Sequence, residues 1–327
     1  MAVLRPAAFA FLGLLTACGL GPFAGEGGGG SNLPNAGVGP YGKLAVDLDT
    51  PIDEPIVLAD FGADLLEPAL LAREDGGFRI FVERRTEVGA SEIWLAEIPA
   101  LTENPDRPLE PVFVSSQAWE GGEVRAPSVA RSSGDDLVMA YEAGDPSAIG
   151  LAISSDGGSS FSSESEPMIP DARSPSIAIA GETTYLFFER LDQPGIFVAV
   201  RRAGGPFETR ALPVLRAGLG AEDFDRVAVE RPAVLVRETA SGRERFDLFY
   251  QGRNGVVNDG DPEIAIGYAG GFGLDDFVRA APAGVAVLDP AAPSEEAPSV
   301  VIEPTRGVML YVDRRSARTR IGGATSP

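Results

Sequence analysis

Along residues 43–327 the apolar positions fall into short runs, alternating or unbroken, divided by Gly, Asp, Ser and Pro. No stretch sustains a 3.6-residue period, so strands rather than helices are expected. The runs repeat as five copies of one pattern. The first copy begins Glu67-Pro68-Ala69-Leu70-Leu71, continues through Phe78-Arg79-Ile80-Phe81-Val82-Glu83 and ends Ile93-Trp94-Leu95-Ala96. The second runs from Ala126-Pro127-Ser128-Val129 through Leu137-Val138-Met139-Ala140-Tyr141-Glu142 to Ile149-Gly150-Leu151-Ala152-Ile153. The third opens at Ser174-Pro175-Ser176-Ile177 and includes Tyr185-Leu186-Phe187-Phe188-Glu189 and Ile196-Phe197-Val198-Ala199. The fourth has Arg231-Pro232-Ala233-Val234, Leu248-Phe249-Tyr250-Gln251 and Ile264-Ala265-Ile266-Gly267-Tyr268. The fifth has Ala297-Pro298-Ser299-Val300 and Val308-Met309-Leu310-Tyr311-Val312-Asp313, and stops near Ile321.

Repeats of three or four strands at this spacing predict an all-β fold, a five-bladed β-propeller. Proline at the head of each first strand fits, since that residue need not donate to the ladder. The fifth copy ends after its third strand. Its missing outer strand is expected from Lys43-Leu44-Ala45-Val46-Asp47-Leu48 or Ile56-Val57-Leu58, which would close the ring and cover an edge.

Ahead of the repeats lies an address. Arg5 and the apolar run Ala7 to Leu15 precede Leu15-Thr16-Ala17-Cys18, and Cys18 is the single cysteine of the chain. The run is too short to span a bilayer. A charged start, an apolar run and small residues before Cys18 resemble a bacterial lipoprotein leader, which is cut before the cysteine, whose thiol then takes lipid. Residues 1–18 are therefore read as signal peptide and 19–42, rich in Gly and Pro, as a disordered tether. Residues 43–327 form the propeller domain. Gly19 stands where inner-membrane lipoproteins often carry Asp, which favours the outer membrane within the cell envelope. Lipid on Cys18 is then the only membrane contact.

Composition narrows the chemistry. With 27 basic and 48 acidic residues the net charge is −21, which repels phosphate backbones and excludes nucleic acid as a partner. The chain has no histidine, which excludes Ser-His-Asp and Cys-His catalysis, histidine bases and His-ligated zinc. One cysteine forms neither an internal disulfide nor a Cys-rich metal site. Carboxylates, hydroxyls, tyrosines and arginines remain. No metal, cofactor or partner subunit is implied, so a monomer is expected. Asn258-Asp259-Gly260-Asp261 is rich in oxygens but lacks calcium-loop spacing and reads as a turn.

The repeated Pro-Ser-Val, the apolar middle strand and the sequence Ile149-Gly150-Leu151-Ala152-Ile153-Ser154-Ser155-Asp156-Gly157 resemble the five-bladed propeller glycosidases of the arabinanase and levansucrase superfamily. The likeness spans most of residues 55–327. It implies an active site at one end of the central axis, with acids at the starts of the inner strands. The family's general base, an Asp before the first blade's Pro, corresponds to Glu67; its general acid before the fourth blade's Gly-Pro corresponds to Glu230. The third family carboxylate is replaced by Ser174. Inverting hydrolysis needs two carboxyls about 6.5–9.5 Å apart. The competing reading makes both glutamates solvated strand-start residues of a propeller that binds a glycan or a protein without cleavage.

Arg125, Arg173 and Arg231 recur beside the same prolines, where guanidinium forks can grip carboxylates, phosphates or sugar hydroxyls. They are the candidate ligand-binding residues, for a carbohydrate or other small polar ligand at the propeller mouth. A second set, Arg84, Arg190, Arg253 and Arg314, follows the middle strands and is expected to form ion pairs between blades with Glu83, Glu189 and Asp313. Ser154-Ser155-Asp156-Gly157-Gly158-Ser159-Ser160-Phe161 matches the Asp-box of sialidases and is expected to stabilise a turn. A sialidase itself fits less well, because Phe78-Arg79-Ile80-Phe81 lies within a middle strand and the copies number five, not six. Trp94, Trp119 and Tyr250 are candidates for stacking on sugar, or for the core.

Overall fold

The computed structural model describes residues 39–44, 56–60, 62–86, 91–103, 105–133, 136–220, 223–239, 241–258, 261–279, 287–288, 295–314 and 318–326. These residues form five antiparallel sheets, the blades of a propeller. Blade one holds β3 (Asp64–Ala72), β4 (Phe78–Arg85), β5 (Ser91–Ile98) and β6 (Glu110–Phe113). Blade two holds β7 (Val124–Ser133), β8 (Asp136–Ala143), β9 (Ala148–Ser154) and β10 (Ser162–Ser163). Blade three holds β11 (Ala172–Ala180), β12 (Thr183–Arg190), β13 (Ile196–Arg202) and β14 (Glu208–Thr209). Blade four holds β15 (Ala228–Glu238), β16 (Glu244–Asn258), β17 (Asp261–Gly271) and β18 (Val278–Arg279). Blade five combines β19 (Glu295–Ile302), β20 (Gly307–Asp313) and β21 (Arg320–Ser326) with β1 (Gly42–Lys43) and β2 (Ile56–Leu58) from the other end of the chain.

The first strand of every blade carries the same irregularity, and its cause is legible. Between Leu66 and Ala69 the pairing of β3 with β4 slips, and the same slip occurs at 125/128, 173/176, 230/233 and 296/299. Two residues oppose one, as in a β-bulge. The first residue of each bulge precedes proline and is left-handed: Glu67, Ala126, Ser174, Arg231 and Ala297 have φ of 45°, 45°, 50°, 49° and 49°. Such a φ is strained for any residue with a Cβ, and proline next in line already restricts the backbone. The bulge turns the N–H out of its own ladder and toward the preceding blade. Ala126 N–H donates to Glu83 at 3.4 Å, Ser174 to Glu142 at 3.0 Å, Arg231 to Glu189 at 2.8 Å and Ala297 to the Gln251 side-chain Oε1 at 3.4 Å.

The Pro-Ser repeat forms a second latch. Ser128 accepts from the Ile177 amide at 3.0 Å, Ser176 from Val234 at 2.9 Å and Ser299 from Leu70 at 2.8 Å. Where blades one and four carry Ala69 and Ala233, no hydroxyl is present to make this bond. The repeated glycine of the third strands has its own reason. Gly150, Gly267 and Gly322 lie opposite Tyr141, Tyr250 and Tyr311, whose rings approach within 2.6 Å or less of where a Cβ would stand. A side chain there would displace a tyrosine that blade packing has buried completely.

Both candidate closing segments pair with β21: Gly42 and Lys43 at one end, Ile56 and Leu58 at the other. The segment between them, including Ala45 to Leu48, lies outside the described residues. Val57 and Leu58 join Leu65, Phe78 and Ile80 of blade one and Val308, Leu310 and Ile321 of blade five in one apolar cluster. Closure is therefore a packed seam as well as a ladder. At about 25 cal/mol per Å² of apolar surface, burial of these side chains outweighs the few backbone bonds. Deleting residues 1–58 removes three buried side chains, Tyr41, Val57 and Leu58, and exposes the β21 edge. The truncated chain should aggregate or melt well below the full chain in calorimetry and size-exclusion chromatography; an unchanged cooperative melt would show that closure lies elsewhere.

Candidate functional site

The bulges place three rings of side chains around one end of the central channel. The innermost is made by the left-handed residues: Glu67, Ala126, Ser174, Arg231 and Ala297. One step earlier in each strand stand Leu66, Arg125, Arg173, Glu230 and Glu296. Beyond them lie their partners on the middle strands: Glu83, Glu142, Glu189, Gln251 and, in blade five, the apolar Val312. A polar cavity of about 260 Å³ opens here, lined by Glu67, Glu142, Glu230, Arg125, Arg173 and Arg231 among others. All five candidate mouth residues named from sequence line it. Trp94, Trp119 and Tyr250 do not. Trp94 lies under the Arg84 guanidinium, Trp119 stacks on Tyr141, and Tyr250 is buried with its hydroxyl donating to Asp225.

The only two charged side chains of the innermost ring meet across it. Arg231 in blade four reaches Glu67 in blade one at 2.8 Å and Glu296 in blade five at 2.9 Å. One guanidinium thus serves two carboxylates from two other blades. Glu67 is pushed up to about 7 from 4.5, first by burial; Arg231 opposes this, while Glu83, Glu142 and Glu296 add to it. Burial and three nearby anions outweigh a cation that is divided between partners.

Glu230 is held differently. Arg253 grips both its oxygens, at 2.6 and 2.9 Å, the Gln251 amide donates at 3.2 Å, and Arg173 lies 3.9 Å away. The resemblance makes Glu230 the proton donor, a role to which a raised carboxyl pKa such as that of Glu67 is suited. Every contact to Glu230 comes from a donor.

Arg125 pairs with Glu142 at 3.2 Å and Glu123 at 3.4 Å, and Arg173 with Glu189 at 2.9 Å. The second arginine set does form ion pairs, with partners other than those expected. Arg190, Arg253 and Arg314 pair inside their own blades, with Asp192, Glu230 and Glu296, and Arg84 pairs with Asp60. Adjacent strand residues point to opposite faces, so Arg84 cannot meet Glu83, nor Arg190 meet Glu189. Arg85, two residues from Glu83, shares its face and pairs with it at 2.6 Å. Arg85 and Glu142 are mouth residues that the strand-start search passed over. The signal for Glu142 was the acid or amide that recurs near the inner end of the middle strand in blades one to four.

The Asp-box residues form a turn. Asp156 accepts from Ser154 and from both the hydroxyl and amide of Ser160, which lowers it to about 2 through the Ser160 and then the Ser154 bonds. Phe161 packs edge-on against Phe81 of blade one. None of these residues lines the mouth cavity. Asn258 and Asp261 pair as the ends of the β16–β17 hairpin, while Asp259 and Gly260 lie outside the described residues, as does Cys18.

Glu67 holds its proton more tightly in the folded chain than at its ordinary value of 4.5. Its contribution to stability is present in full below about 4.5 and is lost as pH rises through about 7. Glu67→Gln keeps the shape and removes the titration. The variant should gain on wild type by about 2–3 kcal/mol between about pH 5 and about pH 8, read from urea melts. A gap that does not change with pH would show that Glu67 titrates normally.

No protein-family model and no curated protein sequence matches the chain. Solved structures do. A GH130 glycoside hydrolase that targets β-1,2 mannosidic linkages in Candida mannan is 16% identical, with 90% of this chain and 95% of that one covered, at a TM-score of 0.64. A glycosyl hydrolase from Bacteroides ovatus is 16% identical over 90% and 95% of the two chains, at 0.62. An α-L-arabinofuranosidase from Podospora anserina, solved with cellotriose, is 10% identical over 84% and 95%, at 0.61. At such identities the likeness establishes the fold, a five-bladed β-propeller that this chain shares with glycoside hydrolases, and leaves its activity to the residues of the mouth.

Proposed function

We propose that the propeller mouth is a carbohydrate site at which Glu67 exchanges a proton with the glycosidic oxygen and Glu230 is the opposing carboxylate. The observation that carries this reading is Glu67 itself: a carboxyl on the innermost ring, facing the polar cavity, with a pKa raised to about 7. A general acid works best with its pKa near the operating pH. In an inverting displacement the acid protonates the leaving oxygen while the second carboxyl activates water on the far side of the ring. The assignment reverses the roles that the resemblance implies, because burial without a dedicated counter-ion falls on Glu67.

A second reading has its own support. Both oxygens of Glu230 are held by Arg253, and a carboxylate so committed is a poor water activator. Binding of a glycan without cleavage follows if ligand does not draw Arg253 away. The test is hydrolysis of a panel of plant and microbial polysaccharides. Catalysis requires wild-type cleavage, a loss on the order of 10²–10⁴ in Glu67→Gln and in Glu230→Gln, and a rate that falls above about pH 7 as Glu67 loses its proton. Binding of a glycan with no cleavage of any substrate would establish the second reading.

We further propose that lipid on Cys18 tethers the propeller to the cell envelope, by way of residues 19–38. Support comes from the Leu15-Thr16-Ala17-Cys18 sequence after an apolar run. The tether read from sequence as 19–42 is shortened to 19–38, because Tyr41 is buried and Gly42 pairs with β21; as a Gly-rich coil residues 19–38 span roughly 22–27 Å. Cys18→Ser should leave the precursor uncleaved or move the protein out of the membrane fraction. Full processing with unchanged fractionation would remove the tether.

A further inference from the structure

Around the mouth each carboxylate lies beneath its guanidinium. In four of the pairs the arginine and acid side chains are 49% and 2% exposed (Arg85 and Glu83), 46% and 6% (Arg173 and Glu189), 44% and 9% (Arg314 and Glu296), and 36% and 15% (Arg253 and Glu230). Arg125 over Glu142 and Arg231 over Glu67 show the same order. A chain of net charge −21 therefore presents cations at the mouth and keeps its anions underneath.

The donor inventory shows what those cations still offer. Arg85 spends Nε on Ser91 and Nη2 on Glu83. Arg173 spends Nε and Nη2 on Glu189, and Arg253 spends Nε and Nη2 on Glu230. In all three, Nη1 has no hydrogen-bond partner among the described residues. A guanidinium carries five N–H donors, so each keeps an outward edge already oriented by a buried acid.

Arg173 stands between two cavities. It lines the mouth cavity of about 260 Å³ and an adjoining one of about 310 Å³ between blades three and four. The second cavity also has Arg253, with exposed Leu191 and Val227 at its rim. Guanidinium edges suit a planar carboxylate, and apolar rim residues suit the C–H face of a sugar ring. We infer that the ligand is an acidic oligosaccharide, a chain containing hexuronate units, with one ring in each cavity and a uronate carboxylate on the free edge of Arg173. The inference rests on the carbohydrate reading of the mouth and names its substrate class.

Calorimetric titration of the full chain tests it, with tri-galacturonate, its methyl ester, neutral arabino- and manno-trisaccharides, a sulfated trisaccharide and inorganic phosphate as probes. Tri-galacturonate should bind, and methyl esterification should weaken it at least tenfold. Raising salt from about 50 to about 500 mM should weaken it several-fold, since part of the attraction is between exposed charges. Arg173→Gln should cost on the order of tenfold, the scale of one hydrogen bond to a charged group. Arg173→Lys keeps the charge without the planar fork and should fall between, and Arg85→Gln gives an independent loss should Arg173→Gln fail to fold. Neutral trisaccharides binding as tightly as the uronate would overturn the inference and leave the carbohydrate site standing. Binding of the sulfated probe without the uronate would overturn it likewise. Phosphate binding with no saccharide bound would overturn both.

Discussion

A strained backbone N–H held by the neighbouring blade's side chain sets the architecture of the whole mouth. Proline directs each first strand into a bulge, the residue before it goes left-handed, and its amide leaves the ladder. A freed buried amide needs an acceptor. Four of the blades supply one from the last turn inward of their middle strand, as Glu83, Glu142, Glu189 and Gln251. An acceptor that is also a carboxylate brings negative charge into a confined ring. That charge in turn demands guanidiniums.

The arginines at the mouth thus answer first to the fold. A carboxylate taken out of water costs several kcal/mol unless it is paired and hydrogen-bonded. Arg85, Arg125, Arg173, Arg253 and Arg314 each bring a cation to an acid in their own blade. Arg231 departs from this arrangement by reaching across to blades one and five. Its division between Glu67 and Glu296 leaves Glu67 undercompensated, and so a carboxyl with a raised pKa stands on the innermost ring. Structural charge pairing and the raised pKa of Glu67 arise here from one constraint, the confinement of more acids than a single inner arginine can serve.

Away from the mouth the molecule relies on ordinary packing. Apolar faces of adjacent blades interleave, and the closing seam joins Val57 and Leu58 to blades five and one. Tyrosines lie across glycines of the third strands, so large rings fill space without widening the sheet. The mouth can carry strained bulges and buried charges because these clusters fix the blades around it.

Fold and number of blades were legible in the chain because they depend on local periodicity. Five Pro-headed strands, five apolar middle strands and a final copy lacking its fourth strand require a ring closed by the N-terminal segment. The same local reading located Glu67, Glu230, Arg125, Arg173 and Arg231 at the strand starts, and all line the mouth cavity. Pairing was not legible. Strand alternation turned Arg84 and Arg190 away from the acids beside them, and Arg231 found its partners in blades distant along the chain. The raised pKa of Glu67 and the two-handed grip on Glu230 were beyond the sequence for the same reason. Each depends on burial and on charges from several blades, and only closure of the ring brings those charges within reach.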